Sequence, residues 1–283
     1  MSVIQWYPGH MTKAIRLISQ SVALVDAVVY MLDARAPYSS LNPDFESITQ
    51  SKPALMLLAK SDLADPAQTA EWQTWLRGKG WEAEPVVSHS HGAGKLVSRS
   101  IKKLLREKTE RFKSRGANAV LRAMVIGIPN CGKSTLLNSV AGKKRAITGD
   151  RPGVTRGGQW LRTDEGIELL DTPGTLWNAF PDRRVGLNLA AVGSIKDDVL
   201  DLADIGAELL TLLVKLYPQQ IFERYGKLDG GTPAELLEQL SLARGFILRG
   251  GAPDYERAGK AVLEDFRKGR TGRITLERVS DYK

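Results

Sequence analysis

One cysteine, three histidines and no apolar run of membrane-spanning length set the first limits on this 283-residue chain. Cys131 alone excludes a disulfide framework and a cysteine-rich metal site. His89 and His91 form a pair, but no third histidine or cysteine cluster stands near them to complete a zinc site. Val22 to Leu32 is interrupted by Asp26 and followed by Asp33, too short and too charged to cross a bilayer. The opening Met-Ser-Val-Ile-Gln-Trp lacks the basic-then-apolar layout of a secretory leader. These absences predict a cytoplasmic protein with no membrane partner. Internal repeats and low-complexity tails are also missing.

What is present is an ordinary hydrophobic content of 42%, enough for a core, and length for one large domain plus a smaller one. The net charge of +8 points to a polyanionic partner. Most of the excess is local. Lys95, Arg99, Lys102, Lys103, Arg106, Lys108, Arg111, Lys113 and Arg115 crowd one segment. A second bias runs from Arg244 through Arg249, Arg257, Lys260, Arg267, Lys268, Arg270 and Arg273 to Arg278, while Asp197 to Glu208 is acidic. Such runs serve either as solvated helix faces or as RNA contacts.

Apolar runs at Ala27–Leu32, Ala54–Ala59, Pro85–Val87 and Ala123–Ile128 read as buried parallel strands. Helical periodicity after the opening Trp-Tyr-Pro-Gly-His, over Ala67–Gly78 and over Leu96–Phe112 separates them. This alternation predicts an α/β fold with a mostly parallel sheet covered on both faces. Trp160–Arg162 and Ile167–Leu170, joined through Asp164-Glu-Gly166, read as a hairpin. Beyond Asn178 the pattern turns helical: Leu202–Leu216, a segment opened by the capping box Thr232-Pro-Ala-Glu235, and a last helix near Asp254–Lys268. The expected division is residues 1–178 and an all-α domain over 179–283.

Gly127-Ile-Pro-Asn-Cys-Gly-Lys133-Ser134 fits G-x-x-x-x-G-K-[ST] and sits between a strand and a helix. In that context backbone N–H groups, including those of Cys131, Gly132 and Thr135, ring phosphates, and the helix N-terminus adds positive potential. Lys133 is expected to reach the outer phosphates and Ser134 to ligate Mg²⁺. Thr155, in Pro152-Gly-Val-Thr155, can close over a γ-phosphate and complete the Mg²⁺ shell. Asp171-Thr-Pro-Gly174 supplies a water-mediated Mg²⁺ aspartate and, at Gly174, an amide that senses the γ-phosphate. Asn130 either helps hold a monovalent cation beside the phosphates or makes a simple loop hydrogen bond. Cys131 reads as a small packed residue.

Guanine presents N–H donors at N1 and N2 that one carboxylate accepts, whereas adenine presents an acceptor at N1. A Lys-x-Asp at a strand end therefore marks a guanine reader. Lys60-Ser61-Asp62 alone ends a buried apolar strand; Lys196-Asp197-Asp198 and Lys227-Leu228-Asp229 read as surface charges. The usual motif has Asn where Ala59 stands, a loss worth about 0.5–1.5 kcal/mol. Ser88-His89-Ser90-His91-Gly92-Ala93-Gly94 follows the next strand and matches the loop that backs the guanine O6, with His89 in place of the usual Ala.

These motifs run base reader, base-backing loop, phosphate loop, switch, Mg²⁺ aspartate: a circular permutation of the GTPase order. The chain resembles the circularly permuted GTPases of the ribosome biogenesis GTPase A family. Gln5-Trp-Tyr-Pro-Gly-His-Met11, Asp150-Arg-Pro-Gly-Val-Thr155, Asp171-Thr-Pro-Gly and Gly269-Arg-Thr-Gly-Arg-Ile-Thr-Leu-Glu277 carry that resemblance. It implies GTP hydrolysis assisting late assembly of the large ribosomal subunit, with the helical domain holding rRNA and hydrolysis, stimulated by the ribosome, coupled to release. It further implies potassium stimulation through Asn130 and puts the family's catalytic histidine on His10. From the residues alone, His10 beside Trp6 and Tyr7 in a Pro-Gly turn reads as structural; with the resemblance it becomes a group to orient or deprotonate water. Thr175 departs both from the Gln that other GTPases carry after Asp-x-x-Gly and from the apolar residue usual in relatives. The alternatives are a nucleotide-gated rRNA-binding protein or RNA chaperone with incidental hydrolysis, and a P-loop ATPase, against which Asp62 argues. Nothing in the sequence demands a dimer.

Overall fold

The computed structural model describes residues 9–140 and 159–282. Helix α1 (His10–Ser21) leads into strand β1 (Ala27–Asp33), whose residues are all buried. There follow α2 (Glu46–Ser51), β2 (Ala54–Ala59), α3 (Pro66–Gly78), β3 (Glu82–Val86), α4 (Ala93–Leu104), α5 (Arg106–Lys113), β4 (Arg122–Gly127) and α6 (Lys133–Val140). The hairpin β5 (Gln159–Arg162) and β6 (Glu168–Asp171) precedes a helical segment of α7 (Arg183–Ala191), α8 (Leu202–Leu216), α9 (Pro218–Tyr225), α10 (Pro233–Ala243) and α11 (Tyr255–Arg267). Asp65, Asp182, Asp201 and Asp254 cap α3, α7, α8 and α11, and the Thr232–Glu235 capping box starts α10.

The six strands form one sheet in the order β3-β2-β1-β4-β6-β5, parallel except for β5 against β6. Strand periodicity sorts the core onto two faces. Ala27, Val29 and Met31 of β1 pack with Val97 and Ile101 of α4 and Leu136 of α6. Val28, Tyr30 and Leu32 pack with Ile18 of α1 and with Trp72 and Leu76 of α3. The first of these clusters continues through Leu176 and Val185 into Leu209, Leu213 and Phe266, so sheet and helical segment share one core.

Register decides where function can sit. Asp33 pairs with Ala59, Ala59 with Val86, Met31 with Gly127 and Val125 with Asp171. The strands therefore end together, and the loops leaving β1, β2, β3, β4 and β6 meet at one edge. From β1 the chain moves outward to β2 and β3, then returns to β4 on the other side of β1. That reversal opens a crevice at the carboxyl ends, where open α/β sheets bind ligands.

Some elements differ from expectation. The helix expected over Leu96–Phe112 breaks at Leu105, which turns into the core as Lys108 pairs with Asp26 at 2.5 Å. Strand β3 begins at Glu82 because it is the sheet edge, where Glu82, Glu84 and Pro85 are tolerated. The last residues leave the helical segment and lie across the strand ends: the Ile274 amide donates to the Leu63 carbonyl at 3.0 Å and that of Leu276 to Arg35 at 2.8 Å. Glu277, fully buried, accepts from the Ser39 hydroxyl, the Tyr38 amide at 2.7 Å and the Asn188 side chain at 2.9 Å. Burial pushes its carboxyl up against those hydrogen bonds, which pull it down.

Candidate functional site

β4 delivers the chain to Gly127, where a side chain has no room: a Cβ would lie 2.5 Å from the Met31 carbonyl oxygen. The loop then passes Asn130, at φ 58, and buried Cys131, whose thiol burial pushes up, to Gly132 and α6. Lys133 is buried, its Nζ 3.2 Å from the carbonyls of Gly127 and Ile128. Ser134 and Thr135 follow, exposed, at the positive end of α6.

β6 brings Asp171 to the same place. Burial raises its carboxyl while the Lys133 ammonium opposes that rise. The Thr172 hydroxyl donates to the Val125 carbonyl at 2.6 Å and the Thr175 amide to Gly127 at 3.2 Å, fastening the segment to β4. Gly174 lies so close that a Cβ there would meet Lys133 Nζ at 2.9 Å and Pro129 Cα at 2.9 Å. Together Met11, Asn130, Lys133, Ser134, Asp171, Gly174 and Lys196 help line a cavity of about 560 Å³.

A second cavity, of about 440 Å³, shares Asn130 with the first and is lined in part by Arg35, Lys60, Asp62, Ser88, His89 and Thr135. Ser61 links the two key residues of the β2 loop, its amide donating to Val86 at 3.4 Å. Lys60, at φ 56, reaches across with Nζ 2.7 Å from the Asn130 carbonyl and 3.0 Å from Asp33. Asp62 is exposed and its carboxylate takes no hydrogen bond among the described residues, leaving its acceptors open to a ligand. Ala59 is fully buried and has no polar group to brace either loop, so Lys60 makes that connection. Ser88 Oγ is buried beside Gly132 without a hydrogen-bond partner among the described residues.

Asp33 and Arg35 are members of this site that sequence reasoning missed. Arg35, 1% exposed, grips Asp33 with Nε at 2.9 Å and NH2 at 2.8 Å. Burial drives the Asp33 carboxyl upward, but the charges of Arg35 and Lys60 outweigh it and hold the group well below the usual carboxylate range. A signal exists in the chain: an acid and a base two residues apart, closing a buried strand. Lys196 is exposed, as its sequence context suggests, and, following the turn after α7, it also lines the phosphate-loop cavity. That turn touches the loop directly, with Ser194 Oγ donating to the Pro129 carbonyl at 2.9 Å and Asn130 Nδ2 to that of Gly193 at 2.6 Å.

Thr155 lies outside the described residues, and His10 is described only as the first residue of α1. Thr175 is fully buried and its hydroxyl has no partner among the described residues, so it faces the core and not the cavity. An orphaned buried hydroxyl costs about 1–3 kcal/mol. Thr175→Val keeps the shape and is expected to raise the thermal-unfolding midpoint without lowering turnover; an unchanged or lower midpoint would show that the hydroxyl is satisfied. The oxygen donors Ser134 and Asp171, on one wall with Lys133, fit a hard divalent cation such as Mg²⁺ that keeps some of its waters.

Comparison with known proteins agrees with this geometry. The protein-family profile described as 50S ribosome-binding GTPase matches residues 122–225, beginning at β4. Ribosome biogenesis GTPase A of Bacillus cereus is 40% identical over 282 residues, covering 99% of this chain and 95% of that protein. The protein of the same name from Bacillus pumilus is 42% identical over 278 residues, covering 97% and 98%. The crystal structure of GNP-bound YlqF from T. maritima superposes with a TM-score of 0.70 at 26% identity, covering 94% of this chain and 98% of that one. A phosphate loop, an Mg²⁺-competent pair and an open carboxylate on one sheet edge, with this full-length likeness, place the chain in the ribosome biogenesis GTPase A family, whose members are GTPases acting in ribosome biogenesis.

Proposed function

We propose that this GTPase assists late assembly of the large ribosomal subunit, binding rRNA through the region beyond residue 178 and coupling ribosome-stimulated GTP hydrolysis to its release. One observation carries the reading: the turn after α7 is bonded to the phosphate loop through Ser194 and Asn130, so a change at the nucleotide is felt at once where the helical segment begins. GTP spans both cavities, its guanine against Asp62 and the Ser88–His89 loop, its phosphates over Lys133. Ser134 and Asp171, together with Thr155, would hold Mg²⁺, which would neutralise charge on the phosphates. The Asn130 Oδ1, with Nδ2 already engaged by Gly193, supplies a ligand for K⁺.

Exposed cations without an ion pair among the described residues support an RNA partner: Lys95, Arg99, Arg111, Lys113 and Arg115 on α4, α5 and the following loop, with Arg249 and Lys260 beyond. Many other cations are used internally. Lys102, Lys103, Lys108, Arg267 and Arg270 pair with Glu165, Glu82, Asp26, Asp197 and Asp265.

The deciding experiment is GTP turnover in potassium buffer with and without purified large subunits. Strong stimulation is expected; subunit binding without stimulation would favour a nucleotide-gated rRNA-binding protein, the alternative that Ala59 supports by weakening the guanine site. His10 serves to orient or activate water: Met11 beside it lines the phosphate cavity. His10→Ala should therefore lower turnover while GTP affinity stays the same, and equal turnover would remove it from the mechanism.

A further inference from the structure

The loop that carries Asp62 has few bonds to its own sheet. Within it, the Leu63 amide donates to Lys60 at 2.9 Å, and the Ser61 amide makes its 3.4 Å bond to Val86. Its outward carbonyls are held by the C-terminal segment. Arg273 Nε donates to the Ala64 carbonyl at 2.9 Å and its NH2 to that of Ser61 at 2.9 Å. The neighbouring Ile274 amide takes the Leu63 carbonyl at 3.0 Å. One guanidinium and one amide thus clamp the peptide on both sides of Asp62. The clamp is itself anchored: Thr275 Oγ1 accepts from the Asp65 amide at 3.2 Å and donates to Ala34 at 3.3 Å, and Tyr217 Oη donates to Asp65 at 3.0 Å.

From this we infer that Arg273 is a positioning residue for guanine recognition: it sets where the Asp62 carboxylate stands, in a chain whose Ala59 cannot brace the loop from inside. The inference rests on Asp62 as the guanine reader. The physical reason is geometric. A planar guanidinium bonded to two carbonyls fixes both their separation and their plane, which a single ammonium cannot do. A carboxylate must meet N1–H and N2–H together, so a small rotation of the Ser61–Ala64 peptides loses one of the two bonds. Because Arg273 lies only six residues beyond the end of α11, the grip on the base loop is tied to the helical segment, and guanine affinity becomes sensitive to what that segment binds.

The test compares GDP with IDP, which lacks the 2-amino group, by calorimetry on the full chain. Wild type should prefer GDP. Arg273→Ala should weaken GDP roughly tenfold, the scale typical of removing a group that orients a contact residue, and weaken IDP much less, so that the GDP-to-IDP ratio falls. Arg273→Lys should recover part of the ratio. Should the alanine variant fail to fold, Arg273→Gln, shorter and with a single amide nitrogen in place of the two guanidinium nitrogens that hold the carbonyls, gives the same comparison. A parallel loss for both nucleotides, or no loss, overturns the role of Arg273. A wild-type protein without preference for GDP over IDP would instead overturn Asp62 as the reader, and the inference with it.

Discussion

Asp62→Asn is expected to hand the site from guanine to xanthine nucleotides. A carboxylate offers two acceptors to the N1–H and N2–H of guanine; an amide offers one acceptor and one donor, and the donor faces N2–H. Losing a charge-assisted bond and leaving a donor opposed costs about 3 kcal/mol or more, on the order of 10²-fold in affinity. Xanthine keeps N1–H and carries a carbonyl at C2, so the amide suits it. Asp62 is exposed and accepts no hydrogen bond among the described residues, so the substitution removes no internal contact and the unfolding midpoint should stay put. Competition of GDP and XDP for the same site measures the exchange. A variant that still binds GDP as the parent does would show that the base is read elsewhere.

Gly174→Ala is expected to separate binding from hydrolysis. The added methyl would stand 2.9 Å from Pro129 Cα and 3.0 Å from its nitrogen, which are backbone, and 2.9 Å from Lys133 Nζ. Lys133 could swing aside, but the Pro129 backbone cannot move without moving the phosphate loop, which Ser194 holds by its carbonyl. The Gly174 amide must therefore retreat from the γ-phosphate side. Loss of one preorganised donor at developing charge lowers turnover on the order of 10²–10³-fold. GDP, which has no γ-phosphate, should lose far less affinity. Single-turnover hydrolysis together with GDP titration separates the two effects, and turnover within a few-fold of the parent would mean that this amide takes no part in hydrolysis.

Several features are legible in the sequence because their chemistry is local. The phosphate loop needs glycines where backbone crowds backbone, and Gly127 against Met31 is such a place. Lys133 and Ser134 must follow at a helix start, so spacing in the chain equals spacing in the site. Strands β1 and β2, buried along their whole length, announce themselves as unbroken apolar runs. Lys60-Ser61-Asp62 can be picked from three similar triplets only because a buried strand precedes it.

Other features stay hidden because one side-chain type serves different ends. Arg267, Arg270, Arg273 and Arg278 read as a basic cluster awaiting a polyanion. In the fold, Arg267 and Arg270 pair with Asp197 and Asp265, Arg273 holds the loop after β2, and Arg278 reaches Tyr217 and Asp65. Lys196 is the solvated charge its sequence context suggests, but only the fold shows that the turn after α7 sets it at the phosphate-loop cavity. Glu277 sits within the same basic stretch, yet it is buried and joins the loop after β1 to α7.

Fold class, motifs and their permuted order are written in the chain, because backbone sterics and hydrophobic period act over a few residues. Which charges face solvent, which lock the chain to itself, and how the helical segment and the tail after it hold the phosphate loop and the loop after β2 follow from the three-dimensional packing. Those outcomes depend on burial and on partners from tens to about two hundred residues apart, where free energy follows from distance in space and not along the chain.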